Sequence, residues 1–313
     1  MSEPRILVTG AAGLIGSAVS KLLRAAGLRV LALDLRAAGS GPAVVSGDFL
    51  DRATLAPLLA EADGVLHFAA VSRVIDGERD PERCWRVNAE GTGQLLDLAA
   101  KSPRRPWVVY ASSREVYGQQ EALPVPEDAP LRPKNIYARS KAEAERLMAE
   151  ARAAGMRNAI VRFSNVYGAT HDHADRVVPA FARAAALAQA GGREASVRVD
   201  GAQCTFDFTH VADVAAGVMR VVQLLRDGET KLPPIHFVSG RQTSLGELAA
   251  LAAQVGGPTL RVTEAPARGF DVHRFAGDPA CAAALLGWRA TTPLEQGFAR
   301  LATEFRGMLA EAG

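Results

Sequence analysis

Apolar residues along this chain follow two rhythms. Unbroken runs at Ile6-Leu7-Val8, Val30-Leu31-Ala32-Leu33, Gly64-Val65-Leu66-His67-Phe68-Ala69, Trp107-Val108-Val109-Tyr110-Ala111 and Ala159-Ile160-Val161-Arg162-Phe163 are too short for helices and lack the alternation of half-buried strands. They predict strands covered on both faces. Ala43-Val44-Val45 adds a shorter one. Between the runs, apolar positions recur every three or four residues, as at Leu14, Ile15, Val19, Leu22 and Leu23, and predict a first helix followed by others at about 51–61, 81–100 and 137–154. Strand and helix in alternation imply a parallel sheet wound with helices on both faces, with ligands beyond the carboxyl ends of the strands.

The rhythm loosens after residue 165. Helix-like runs at 177–190, 211–226, 244–255, 278–286 and 293–311 are joined by brief strands near 196–200 and 235–238. This pattern predicts a wound first domain over 1–165, a smaller lobe mainly over 166–313 that packs over the strand ends, and parts of about 205–240 packing back onto the first domain; the chemistry below makes the first the dinucleotide-binding domain and the second the substrate-binding lobe. The proline-rich, charged stretch 118–136 reads as an ordered surface excursion.

The turn after the first strand brings in chemistry. Thr9-Gly10-Ala11-Ala12-Gly13-Leu14-Ile15-Gly16 places three glycines between strand and helix. There they permit tight dihedrals and a close approach of backbone to phosphate, at a helix start whose free N–H groups and dipole favour an anion. A glycine turn alone is a weak sign, since many merely cap helices. Asp34, at the end of the second strand, lies close to the offset at which an acid binds ribose hydroxyls, and this strengthens the reading of a Rossmann-type α/β fold. Asp34 favours NAD over NADP by repelling a 2′-phosphate. Arg36 offers the opposite preference, and Asp34 has a bland alternative as an ordinary strand-end acid.

Charge and composition exclude more than they identify. Lys and Arg number 36 against 34 Asp and Glu, evenly spread, so no basic stripe suggests nucleic acid. Cys84, Cys204 and Cys281 are an odd, scattered set without metal-type spacing, which suggests reduced thiols and no metal site. No apolar run approaches a membrane span or signal peptide, and a cytoplasmic, soluble protein of 313 residues is expected.

Lysine is rare here, which makes Tyr137-Ala138-Arg139-Ser140-Lys141 informative. A phenol and an ammonium four residues apart share one helix face. The lysine and a cationic nicotinamide ring are both expected to favour the phenolate, making Tyr137 an acid/base near neutral pH. A surface tyrosine beside a solvated lysine is the bland alternative. Upstream, Ser112-Ser113 follows a strand and precedes this helix, where a hydroxyl can hold a substrate oxygen that alternates between alcohol and ketone.

Together these residues resemble the extended short-chain dehydrogenases/reductases, specifically the NAD-dependent epimerase/dehydratase family. The likeness runs from Arg5 to about Trp288 through TGAAGLIG at 9–16, Gly47-Asp48, His67-Phe68-Ala69-Ala70, Asn88 with Gly91-Thr92, SSREVYG at 112–118, Tyr137/Lys141 and RFSNVYG at 162–168. The resemblance implies a cofactor set of Gly10, Gly13, Leu14, Ile15, Gly16, Asp34, Arg36, Asp48, Phe49, Ala69, Ala70 and Asn88. Asp48 would bind the adenine and Ala69-Ala70 would line the adenosine side. Ser113 would hold the reacting sugar oxygen, Tyr137 would be the acid/base, and Lys141 would bind the nicotinamide ribose. Ser72, Arg73 and Asn165 would contact a nucleoside-diphosphate sugar. Related enzymes also pair two helices into a homodimer, and Trp85, Leu95, Leu98, Leu147 and Met148 either serve that interface or face the chain's own sheet.

Two departures from the family pattern matter. Where members commonly carry a phosphate-clamping arginine before Asp207-Phe208, this chain has Thr205-Phe206, leaving Arg268, Arg176 and Arg198 as candidates. Many dehydratases carry Asp-Glu where this chain has Arg114-Glu115, so Glu115 is either a second general base or the charge partner of Arg114. The expected activity is NAD-dependent epimerisation of a nucleotide sugar, at C4 through a transient ketone. A dehydratase using Glu115, a sugar dehydrogenase/reductase and, more remotely, a non-catalytic NAD sensor are the alternatives.

Overall fold

The computed structural model describes residues 3–36, 44–190, 195–267 and 272–311. Its centre is a seven-stranded parallel sheet of β1 (Arg5–Thr9), β2 (Arg29–Asp34), β3 (Val44–Ser46), β4 (Gly64–His67), β5 (Trp107–Ser113), β6 (Asn158–Phe163) and β11 (Ile235–Phe237). The spatial order is β11-β6-β5-β4-β1-β2-β3. The order reverses between β1 and β4, which opens a crevice for a ligand at the carboxyl ends of the strands. Every residue of β4, β5 and β6 is buried, because helices cover both faces, and this is why those strands read as apolar runs.

One face carries α1 (Leu14–Ala25) and α8 (Val211–Arg226), where Val19 and Leu23 share a core with Val214, Val218 and Val221. The other carries α2 (Arg52–Glu61), α5 (Gly91–Lys101) and α6 (Ile136–Ala153), with Leu55, Leu59, Leu95 and Met148 packed on Leu7, Val65 and Val108. A second core lies under α7 (Val177–Gln189), α9 (Leu245–Gly256) and α11 (Leu294–Glu311). Around it run three small sheets: β7 (Asn165–Tyr167) with β10 (Phe208–His210), β9 (Thr205–Phe206) with β12 (Thr243–Ser244), and β8 (Ala195–Asp200) with β13 (Leu260–Ala265). The short helix α10 (Ala280–Leu286) returns to the first core through Ala282 and Leu286. No described helix is long and apolar enough to cross a membrane.

The structure departs from the sequence reading in several places. The helix expected at 81–100 is three pieces: α4 (Pro81–Trp85), a π-turn over Arg86–Glu90, and α5, preceded by an unanticipated α3 (Val74–Arg79). Apolar spacing does not register the one extra residue per turn that a π-turn accommodates. Strand 64–69 stops at His67, and strand 107–111 continues through Ser113. β7, β10 and β13 were not expected; β13 has a single buried residue, Leu260, so its pattern is nearly silent. Val44-Val45 form β3 as expected, whereas Ala43 lies outside the described residues.

Candidate active site

The glycine turn after β1 is built by collisions that only glycine avoids. Gly10 has φ +69°, and a Cβ there would stand 2.7 Å from the Ala69 nitrogen; a Cβ on Gly16 would stand 2.1 Å from the Gly10 carbonyl oxygen. The turn thus locks β1, α1 and the loop after β4 together. Gly13 is the N-cap of α1 and supplies no side-chain cap, so Leu14, Ile15 and Gly16 begin a helix whose first N–H groups remain for an anion. Asp34 is buried, accepts the Ala12 amide at 2.9 Å and the Arg36 amide at 2.8 Å, and stands 3.8 Å from the Arg36 guanidinium. These residues fit a dinucleotide: an uncapped helix start for the pyrophosphate and a carboxylate at the next strand end for ribose. Asp48 accepts the Leu50 amide at 2.9 Å, while the Phe49 ring is buried edge-on to His67 at 5.0 Å.

His67 belongs to a buried relay that sequence reasoning did not assign. Its Nδ1 meets Thr9 Oγ1 at 2.8 Å and its Nε2 meets Thr92 Oγ1 at 3.1 Å. Thr9 Oγ1 also accepts the Ala69 amide at 3.3 Å, which holds Ala69 and the neighbouring Ala70 over the end of β4. Burial pushes the His67 imidazole down to about 3, so it is neutral. Asn88, in the π-turn, is likewise consumed by the protein: it accepts the Val71 amide at 2.8 Å and donates to the Val71 carbonyl and to Ser140 Oγ, each at 3.0 Å. It pins the loop after β4 to the helix that carries Tyr137.

Three successive residues of β5 each meet a residue on one face of α6. The Ala111 carbonyl accepts from Lys141 Nζ at 2.8 Å, Ser112 donates to Glu145 at 2.5 Å, and the Ser113 hydroxyl lies near enough to Tyr137 to favour its phenolate. Positions 137, 141 and 145 are four apart, and the strand registers all of them. Glu145 is further held by Arg162 of β6 at 2.6 Å, in an ion pair buried on both sides. A fully paired charge in a dry setting fixes geometry strongly, since breaking one side leaves a bare buried ion.

The electrostatics correct one expectation. Lys141 Nζ is 5.9 Å from the centre of the Tyr137 ring, bonds the strand carbonyl, and is pushed down to about 8 by burial. Burial pushes the Tyr137 phenol up to about 12, and what pulls against this is the nearby Ser113 hydroxyl and the Arg176 cation, not Lys141. Desolvation outweighs the lysine, so a phenolate near neutral pH needs further positive charge in the site.

Glu115 is buried with both oxygens engaged. Oε1 pairs with Arg114 Nη2 at 2.9 Å and Oε2 accepts from Asn135 Nδ2 at 3.2 Å. Asn135 is also the N-cap of α6, accepting the Ala138 amide at 2.8 Å. Sequence reasoning overlooked it, although an Asn just before a helix is a recognisable cap. Phe206 faces the Arg114 guanidinium at 4.7 Å from ring centre to Cζ, and Phe275 lies at 5.7 Å.

The five candidate substrate ligands among the described residues fall in three places. Ser72, Arg73 and Arg176 meet across the crevice: Arg176 Nη2 reaches the Ser72 carbonyl at 3.3 Å, and Arg73 bonds Asp175. His171, on the same segment, meets Ser17 of α1 at 3.2 Å, so residues 171–176 strap both sides of the cleft. Asn165 opens β7, half-buried, with its amide on the Asp207 carbonyl at 3.2 Å. Arg198 stands apart on β8, exposed and paired with Asp200 at 2.8 Å. Arg268 lies outside the described residues.

Comparison with known proteins gives consistent results. The model of the NAD dependent epimerase/dehydratase family matches residues 6–237. A UDP-glucose 4-epimerase of Streptomyces lividans is 32% identical over 307 residues, covering 91% of each chain. A dTDP-glucose 4,6-dehydratase of Streptomyces antibioticus is 34% identical over 320 residues, covering 96% of this chain and 92% of the relative. Among solved structures, MoeE5 in complex with UDP-glucose and NAD superposes with a TM-score of 0.87 at 30% identity, over 97% of this chain and 99% of that one.

Proposed function

The chain belongs to the NAD-dependent epimerase/dehydratase family, and from that footing we propose that it interconverts C4 epimers of a nucleotide sugar through a transient 4-keto intermediate. The observation that carries this reading is the juxtaposition of Ser113, Tyr137 and Lys141, all three buried, at the end of β5. A phenol that reaches a serine hydroxyl brackets one substrate oxygen, as proton exchange between alcohol and ketone requires.

The cofactor is NAD. When bound, it accepts and returns a hydride, and its positive ring supplies charge that favours the phenolate. Tyr137 takes the C4 hydroxyl proton as the ketone forms and returns it when the opposite face is reduced. Ser113 holds the oxygen throughout, and Lys141, locked on the Ala111 carbonyl, keeps a cation under the tyrosine ring. Arg176, which already bears on Tyr137 electrostatically, and Arg73 are the cations that would meet the diphosphate of the sugar.

Dehydration is the second reading, favoured by the dehydratase relative and by the retained Glu115. It needs a free carboxylate beside C5, and Glu115 has both oxygens bound to protein. Incubation with UDP-glucose and UDP-galactose, followed by NMR of the sugar ring, tests the proposal. Interconversion without added cofactor supports it. Loss of the C6 oxygen, or no reaction with a panel of nucleotide sugars, overturns it.

A further inference from the structure

The Arg114–Glu115 pair combines features that a purely structural ion pair does not need. Both side chains are largely buried, at 11% and 9% exposure, and Glu115 lies two residues from Ser113, whose hydroxyl accepts the Glu115 amide at 3.2 Å. Glu115 also bears on Tyr137 electrostatically, so the carboxylate lies near the acid/base residue. Arg114 is anchored by Nη2 on Glu115 and by its faces on Phe206 and Phe275, while its Nη1 is buried without a hydrogen-bond partner among the described residues. A guanidinium held by ring faces is fixed in place without competing hydrogen bonds, leaving its strongest directed interaction for one carboxylate.

A 4-keto sugar acidifies the C5–H beside the carbonyl. A carboxylate with a free oxygen beside that ketone removes this proton readily, and an enzyme that only inverts C4 must prevent it. We propose that Arg114 is a positioning residue that withholds Glu115 from C5, and that this restraint keeps the reaction at C4. The inference rests on the 4-keto reading above. In the suppressed step the C5–H bond breaks, its electron pair moves into the C4 carbonyl to give an enolate, and Glu115 carries the proton. Exchange of that proton with water and its return to C5 would leave a deuterium label in heavy water.

Supplying the ketone ready-made tests the restraint apart from the oxidation at C4. The full-length protein is incubated in deuterium oxide with UDP-4-keto-6-deoxyglucose, and loss of the C5 hydrogen is followed by NMR above the enzyme-free rate. Arg114→Met, which keeps an apolar stem between Phe206 and Phe275, is expected to exchange at least about tenfold faster than the unaltered protein, in keeping with release of a general base. Arg114→Met/Glu115→Gln should return to the unaltered rate. An Arg114→Met rate within about twofold of the unaltered one, or a fast rate that survives Glu115→Gln, overturns the proposal. If Arg114→Met folds poorly by circular dichroism, Phe206→Leu loosens the guanidinium without deleting either charge and must raise exchange at least about threefold. UDP-glucose to UDP-galactose conversion is assayed on the same preparations. Its absence alongside Glu115-dependent exchange would overturn the epimerase reading and support the role of Arg114.

Discussion

Lys141 donates to the carbonyl of Ala111 at 2.8 Å, so the strand that ends in Ser113 holds the ammonium in place under the Tyr137 ring. The phenol therefore depends on position for its role, since burial drives it up to about 12. Tyr137→Phe keeps the ring and removes the proton carrier. Turnover should fall by about 10²–10⁴ with NAD affinity nearly unchanged, measured by steady-state kinetics and by cofactor titration. Activity within a few-fold of wild type would remove Tyr137 from the acid/base role.

Asp34, held in place by the Ala12 and Arg36 amides, is expected to favour NAD because its charge repels a 2′-phosphate. Mass spectrometry of the cofactor released on denaturation should find NAD. Asp34→Ala should weaken NAD and narrow the preference over NADP, and recovery of mainly NADP from the unaltered protein would promote Arg36 to a phosphate ligand.

Glu115→Gln preserves the hydrogen bond from Asn135 and should cost less than about tenfold in C4 epimerisation, because that chemistry needs no carbon-bound proton removed. The product formed in deuterium oxide should carry no solvent deuterium. A loss of about 10² or more, together with label at C5, would favour dehydratase chemistry.

His67 and His236 are both pushed down to about 3 by burial, well below the 6.5 of a solvated imidazole. Between those values the unfolded chain binds protons that the folded chain refuses, so stability falls as pH is lowered through 6.5. Each histidine should add a slope of about 1.4 kcal/mol per pH unit over that window. Urea unfolding between about pH 6.5 and 5, where most carboxylates remain ionised, reads this slope, and His236→Asn should reduce it by one such increment. An unchanged slope would show that the imidazole is protonated in the folded state.

A homodimer through α4, α5 and α6 is the expected assembly. Leu95 and Met148 are fully buried in the chain's own core, whereas Leu98 and Leu147, packed on its edge, and Trp85 are half-buried and offer their remaining surface to a partner helix pair. Light scattering at micromolar concentration should give twice the monomer mass, and a monomeric mass would rule the interface out.

Sequence alone determined whatever is decided within a helical turn or one strand. Apolar runs with no alternation report strands covered on both faces, three glycines report a turn with no room for Cβ atoms, and Tyr137 and Lys141 share a helix face by spacing. Asp34 was legible because the strand–turn–helix–strand path returns it to the Ala12 amide. Only the tertiary structure decided what pairs across long separations. The register of β5 against α6 sets Ala111 on Lys141 and Ser112 on Glu145, and Arg162 closes the latter pair from a third element. Glu115 looked like a base or a charge partner with equal reason until Arg114, Asn135, Phe206 and Phe275 met around it. Local patterns are limited by backbone geometry, which a sequence displays directly. The engagement of a buried carboxylate depends on which distant side chains the folded path delivers within about 3 Å, and no periodicity encodes that.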